Sequence, residues 1–303
     1  MPLHRYANGL TARVVSPSSK VKEKPTVLFI HGMMAGAWQF QQAQHWFAQR
    51  GYPSVALNLR GHHGSRPVRD LGRVSVRDYV DDALYVAAAM DRPIVIGQSM
   101  GGLIAQKLAE LNAVRAAALV CSLPPGGIRW DTAHGWIAST YSRLPKAAIA
   151  LAAQPSLARL IELLRSDLPI ALETVNNLRE TLSSKPLIPR QRDLNDLIFN
   201  TISEPLRSEL FALQVPESGR ATSEIAAGRI RVNARDVRCP MVSVVCEKDR
   251  LVIPEVGQAL ADKYKGDLLS YPHRGHYGFV AETGWEDIAE GIVQWLRAKQ
   301  HGQ

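Results

Sequence analysis

The 303-residue chain has no long apolar run. Its longest apolar stretches, such as Ala83 to Met90 and Ile149 to Ala153, fall well short of the roughly 18 to 20 residues that cross a bilayer as a helix, so no membrane span is expected. The first nine residues carry His4, Arg5 and Asn8 and lack the apolar centre of a secretory signal. A cytoplasmic location is the expectation. There are only 3 cysteines, too few for a disulfide framework. Cys239 and Cys246 flank one apolar run and Cys121 ends another, so reduced, buried thiols are expected.

The net charge of +8 and pI near 9.5 would suit a phosphate-bearing partner only if the cations were gathered on one surface. They are not. Basic residues run together only at Lys20, Lys22 and Lys24 and at Arg60, Arg66, Arg69, Arg73 and Arg77, without helical spacing or interleaved aromatics for base stacking. A solvated surface is expected, with no nucleic-acid partner. The chain also lacks H-E-x-x-H, a P-loop and G-x-G-x-x-G. The H-x-x-H of His273 and His276 has no further nearby ligands. Neither a metal nor a cofactor is expected.

The residues that are present alternate between two periods. Thr26 to Ile30, Ser54 to Leu57, Ile94 to Ile96, Ala117 to Cys121, Met241 to Cys246 and Leu268 to Tyr271 are short apolar runs that predict strands buried on both faces. Thr11 to Val15 adds an edge strand. Trp38 to Arg50, Val76 to Met90, Ser99 to Leu111, Glu255 to Lys265 and Gly284 to Lys299 have helical spacing. Such alternation predicts an α/β protein with a mostly parallel sheet covered by helices on both faces.

The rhythm stops between Leu123 and Arg238, which hold half of the 18 prolines and, by sequence pattern, helices at Ser156 to Arg165, Arg190 to Asn200 and Glu204 to Leu213. Residues 1–122 and 239–303 are therefore expected to form the core, and residues 123–238 a helical cap or lid over the carboxyl ends of the strands.

Ile94 to Ile96 runs into Gly97-Gln98-Ser99-Met100-Gly101-Gly102 and then a helix. This is G-x-S-x-G between a buried strand and a helix, the context in which the serine stands on a tight turn. Ser99 is the candidate nucleophile. A hydroxyl needs a base, and His276 lies in a loop after the last strand; His273 is its rival. The base needs a carboxylate to fix its tautomer. Asp249 follows the strand ending at Cys246, with Glu247 as the alternative. An oxyanion needs two amides: Met100, after the nucleophile, and Met33, in the loop His31-Gly32-Met33-Met34, are the candidates. His31 is expected to fix that loop by a hydrogen bond.

Through His31-Gly32, Gly97 to Gly102, Asp249 and Gly275-His276, the chain resembles the α/β-hydrolase superfamily. The resemblance implies a mostly parallel sheet of seven or eight strands, a Ser, Asp, His triad, and a helical cap where residues 123–238 lie. Asn58-Leu59-Arg60-Gly61-His62-His63-Gly64-Ser65 resembles the family's Asp-x-Arg-Gly-His-Gly-x-Ser segment, with Asn58 in place of Asp and an extra histidine. Arg60 and His62 are expected to brace the site from behind.

Haloalkane dehalogenases and epoxide hydrolases of that superfamily use an Asp nucleophile, which Ser99 is not. The expected reaction is hydrolysis of a carboxylic ester, lactone or thioester of a small, largely apolar substrate through an acyl-enzyme. Alternatives with the same triad are hydroxynitrile-lyase, carbon–carbon hydrolase and perhydrolase chemistry, and a non-catalytic ligand-binding protein on the same fold is the alternative of another class. The loop His31 to Trp38 faintly resembles that of plant-type esterases and hydroxynitrile lyases. Met34, Leu123, Trp130, Trp136 and Tyr141 are expected to line the substrate pocket.

Overall fold

A computed structural model describes residues 3–18, 22–128 and 185–301 of the chain. Eight strands form one sheet: β1 (His4–Arg5), β2 (Thr11–Val15), β3 (Val27–Ile30), β4 (Ser54–Asn58), β5 (Ile94–Gln98), β6 (Ala116–Val120), β7 (Met241–Cys246) and β8 (Asp267–Tyr271). Their spatial order is β1-β2-β4-β3-β5-β6-β7-β8. β3 to β8 run parallel, while β2 pairs antiparallel with β4 and with the two-residue β1. The strand expected at the edge, Thr11 to Val15, thus forms in full but lies one place in, with the two-residue β1 outside it.

Every residue of β3, β4, β5, β6 and β7 is buried, because both faces are covered. On one side lie α2 (Val76–Ala87) and α3 (Met100–Glu110), with Val256 and Leu260 packed into the same apolar cluster. On the other, Phe40 and Phe47 of the segment around α1 (Gln41–Gln49) pack with Ile288, Ile292 and Val293. Phe29 of β3 stacks on Phe40 at 4.9 Å and meets Phe47 edge-on at 5.6 Å. Each such buried side chain contributes roughly 1.5–3 kcal/mol over leaving it exposed.

Local signals set the helix ends. Ser75 and Asp78 form a reciprocal capping box at the start of α2. The helix expected from Trp38 instead opens with a 3-10 turn, Ala37–Phe40, in which the Gln39 amide donates to the Gly36 carbonyl at 3.0 Å and Gly36 offers no side-chain cap.

In the stretch between Leu123 and Arg238, the described part carries α4 (Gln191–Leu197), α5 (Leu206–Ala212) and α6 (Gly219–Ala226). The first two match the expected helices apart from their ends. α6 was not legible, since Gly219, Ala221, Thr222 and Ser223 give little apolar periodicity; Ser218 starts it by accepting the Ala221 amide at 3.2 Å. The helix expected over Ser156 to Arg165 lies outside the described residues. The chain continues through α7 (Pro254–Tyr264), with proline in the first turn where it costs no hydrogen bond, and ends on α8 (Glu286–His301). Among the described residues no helix is long and apolar enough to cross a membrane.

Candidate active site

Ser99 joins β5 to α3 with φ 56° and ψ −119°, a backbone conformation that costs on the order of 1–3 kcal/mol for a non-glycine residue. Its neighbours hold it there. The Ser99 amide donates to the Val120 carbonyl at 3.0 Å, and the Ser99 carbonyl accepts from Gly102 at 3.0 Å and Leu123 at 3.1 Å. The turn is possible only because backbone meets backbone: a Cβ on Gly97 would lie 2.2 Å from the Gly101 oxygen, and one on Gly101 would lie 2.0 Å from the Ile30 oxygen. Met100 begins α3, so its amide has no partner within the helix and belongs to the positive end of the helix dipole.

Asp249 and His276 come together at the carboxyl ends of β7 and β8. His276 Nδ1 lies 2.7 Å from Asp249 Oδ2, with side-chain exposures of 1% and 0%. The other carboxylate oxygen, Oδ1, accepts the amides of Leu251 at 2.8 Å and Val252 at 2.9 Å. An Nδ1–H donated to Asp249 leaves Nε2 as the free basic nitrogen. The histidine loop is itself braced, because Glu282 Oε1 accepts the Gly275 amide at 2.8 Å and Gln98 Nε2 donates to the His276 carbonyl at 3.2 Å.

The rivals, His273 and Glu247, line the same cleft as Asp249 but are exposed rather than buried. Glu247 accepts the Ser270 hydroxyl at 2.6 Å. Cys121, read from the sequence only as a buried thiol, follows β6 with φ 43°. Its Sγ lies with a carboxylate oxygen of Asp249 and a ring nitrogen of His276 in a set of atoms within 4.8 Å of one another. A hydrogen bond with Cys246, burial and the Asp249 carboxylate push the Cys121 thiol well above its usual range, so it remains protonated. All 3 cysteines are free thiols.

The loop after β3 is tied at almost every peptide. Gly32 donates to Gln39 Oε1 at 3.1 Å, and Gln39 Nε2 reaches Tyr277 Oη at 2.9 Å. His31 Nε2 accepts the Leu59 amide at 3.2 Å, so Nδ1 carries the proton and donates to the Gly32 carbonyl at 2.7 Å. Burial, followed by the charge of His62, lowers the His31 pKa to about 3 and keeps the ring neutral. That is the loop-fixing role expected of it. Met34 has φ 63° and gives its amide to Glu217 Oε2 at 3.1 Å. Among the described residues, the amides of Gly32 and Met34 are donated and that of Met33 is not.

The departures in the segment after β4 have physical reasons. Asn58 Oδ1 accepts the Ala37 amide at 2.7 Å while Nδ2 donates to Thr11 Oγ1 at 3.1 Å; an ionised Asp has no proton to give Thr11. The extra histidine, His63, accepts the Trp38 indole N–H at 3.1 Å. Arg60 grips Asp82 through Nε at 2.9 Å and Nη2 at 2.7 Å and reaches Asp78 at 2.8 Å, fastening this segment to α2. His62 faces Glu217.

Glu217, which sequence reasoning missed, is wholly buried. Oε1 accepts the Tyr79 hydroxyl and the Ser218 amide, each at 2.6 Å, and Oε2 accepts from Met34 and from His62 Nε2 at 3.3 Å. His62 Nδ1 donates to the Arg60 carbonyl at 3.0 Å, so two acceptors claim both ring protons and the ring is cationic. Burial opposes that charge, but the Glu217 carboxylate more than offsets it and raises the His62 pKa. Burial would likewise raise the pKa of Glu217; His62, Tyr79 and the Ser218 amide together pull it down to about 2.

Of the expected pocket residues, Met34 packs in an apolar cluster with Phe199, Leu210 and Tyr277. Leu123 is fully buried with the α3 side of the core. Trp130, Trp136 and Tyr141 lie outside the described residues. A polar cleft of about 840 Å³ opens beside the acid loop, lined by Asn200, Thr201, Lys248, Asp249 and His273 but not by Ser99.

Comparison with known proteins places this architecture. A 120-residue stretch is 31% identical to Epoxide hydrolase 1 of Caenorhabditis elegans, covering 38% of this chain and 29% of that protein. The match therefore spans under a third of that relative's length. Among solved structures, a monoacylglycerol lipase of Paleococcus ferrophilus superposes with a TM-score of 0.63 at 17% identity, over 95% of this chain and 98% of that one. The methylesterase MES16 of Arabidopsis gives 0.61 at 14% identity, over 92% and 100%. The sequence profile of the alpha/beta hydrolase family matches residues 27–290, from the first parallel strand into the last helix. This chain belongs to the alpha/beta hydrolase family.

Proposed function

We propose that this hydrolase is a serine enzyme that cleaves a carboxylic ester or related acyl bond, such as a lactone or thioester, of a small and largely apolar substrate. The observation that carries the reading is the buried 2.7 Å pair of His276 Nδ1 and Asp249, at the same carboxyl end of the parallel strands as Ser99 on its strained turn.

In this reading Ser99 Oγ attacks the acyl carbon as His276 Nε2 takes its proton. The carbonyl oxygen becomes an oxyanion facing the amides of Met33 and Met100. Collapse expels the alcohol, which takes the proton from His276, and leaves an ester on Ser99. Water then attacks that ester, giving its proton to His276. The second collapse releases the acid and returns the proton to Ser99. Residues 123–238 act as the cap that selects the substrate.

Acyl transfer also suits a serine better than epoxide opening, the activity in the name of the C. elegans relative. A serine that opened an epoxide would become an ether with no carbonyl for water to attack, and turnover would stop.

A fluorophosphonate should add one phosphonyl group to Ser99, located by peptide mass spectrometry, and Ser99→Ala should remain unlabelled. A folded wild-type chain that takes up no label would overturn the serine-hydrolase reading. A panel of nitrophenyl esters, aryl thioesters, lactones, β-diketones and cyanohydrins then separates the acyl substrates from one another. Cleavage of a cyanohydrin with every ester intact would transfer the site to lyase chemistry.

A further inference from the structure

We propose that Glu217 is a positioning residue of the reaction: from outside the sheet it orients the Met33–Met34 peptide and so holds the Met33 amide towards the oxyanion. This rests on the serine-hydrolase reading given above.

The argument begins with two consecutive peptides. In a trans peptide the C=O and the following N–H point in opposite directions. The Gly32 carbonyl is held by His31 Nδ1 at 2.7 Å, which turns the Met33 N–H the opposite way. The next peptide is held from its other side, by the Met34 N–H on Glu217 Oε2 at 3.1 Å. The Met34 carbonyl in turn accepts the Val215 amide at 2.8 Å. Residues 215–217 therefore grip Met34 at both its amide and its carbonyl, at a residue with φ 63° that its own conformational preference would not choose. Release of that grip lets Met34 leave the left-handed region and leaves the Met33 amide held from the Gly32 side alone, free to swing away from the oxyanion.

The grip is rigid because the carboxylate is saturated. Tyr79 of α2, the Ser218 amide, His62 after β4 and Met34 occupy its four acceptor directions, and none of them is open to solvent exchange at the fully buried Glu217. The opposite charge of His62 keeps it ionised. A buried ion pair of this kind is seldom a better source of stability than an apolar filling of equal volume, whereas four directed donors fix an orientation that apolar packing cannot.

The test is Glu217→Gln, which preserves shape but replaces one acceptor oxygen with a donor. Against a nitrophenyl ester hydrolysed by the wild type, kcat should fall by between about 10 and 10² with KM within threefold. The affinity of a trifluoromethyl ketone, which forms the oxyanion on Ser99, should fall by the same factor, while that of the carboxylic acid product should not. A folded Glu217→Gln chain with a kcat loss below tenfold, or with equal losses for the ketone and the product, overturns the proposal. If this variant does not fold, Tyr79→Phe decides. It keeps the carboxylate and removes one donor, and a kcat loss of at least threefold at constant KM is required; less than that overturns the proposal. Absence of esterase activity and of fluorophosphonate labelling in the wild type would instead count against the reading on which this rests.

Discussion

His276 Nδ1 and Asp249 Oδ2 are 2.7 Å apart and sealed from water, while the second Asp249 oxygen is fixed by the amides of Leu251 and Val252. The carboxylate cannot rotate without losing three hydrogen bonds, so the imidazole it faces is held in one tautomer and one plane. The consequences for substitution can be stated residue by residue.

His276→Ala should lower kcat/KM for a nitrophenyl ester nearly as far as Ser99→Ala, to within about tenfold of it, because a hydroxyl without its base is as inert as no hydroxyl. His273→Ala, at an exposed site, should change the rate less than about threefold. Steady-state kinetics on the three variants decides. A large loss at His273 with activity retained at position 276 would reverse the assignment of the base.

Asp249→Asn should reduce turnover by up to about 10⁴-fold, since the amide favours the wrong imidazole tautomer. Glu247→Gln should be nearly silent, because Glu247 spends its oxygen on the Ser270 hydroxyl. Retained turnover in Asp249→Asn would shift the acid to Glu247.

Gly101→Ala should unfold or grossly weaken the chain, by at least about 3 kcal/mol in urea denaturation. Its Cβ would stand 2.0 Å from the Ile30 oxygen, and Ile30 ends the central strand that leads into the His31 loop. A variant within about 1 kcal/mol of the wild type would show that the turn has slack.

Acid should weaken the attachment of Glu217. Its pKa is about 2 in the folded chain and about 4.3 unfolded, so the unfolded chain binds more protons between these values. The stability it contributes is complete above about pH 4.3 and is lost as pH falls towards 2. His62, which also faces His31 and Asp82, works in the other direction. Its raised pKa contributes stability that is full below about pH 6.5 and is lost as pH rises through its folded value. Urea denaturation at several pH values should therefore show Glu217→Gln weaker than wild type by on the order of 3 kcal/mol between pH 5 and 6. The gap should shrink below pH 4. A gap independent of pH would mean that Glu217 is not ionised in the folded chain.

The contrast between Ser99 and Glu217 explains what the sequence could tell. Ser99 is announced by its neighbours in the chain: an apolar strand before it, glycines on both sides and a helix after it. Asp249 and His276 follow strand ends in the same way, and the alternation of strands and helices made the sheet legible apart from the ends of its elements. Glu217 carries no such local mark. Its partners Tyr79, His62 and Met34 are 138, 155 and 183 residues away along the chain, so only the fold reveals that four donors meet there. Cys121 is similar. It looks like the last residue of an apolar run, and its place beside Asp249 depends on the pairing of β6 with β7. β1 was marginal for a different reason, since two residues of strand have no periodicity to read.

The contact between Gly101 and Ile30 also bears on how this enzyme can change. A position where any side chain strikes a carbonyl cannot be sampled on the way to a new activity, and Gly97 adds a second. In a library of variants these two positions would return wild-type residues alone. Under the proposed function, adaptation to a new substrate passes through the segment between Leu123 and Arg238 and the side chains after β3, leaving the turn that carries Ser99 as the inherited constant of every descendant.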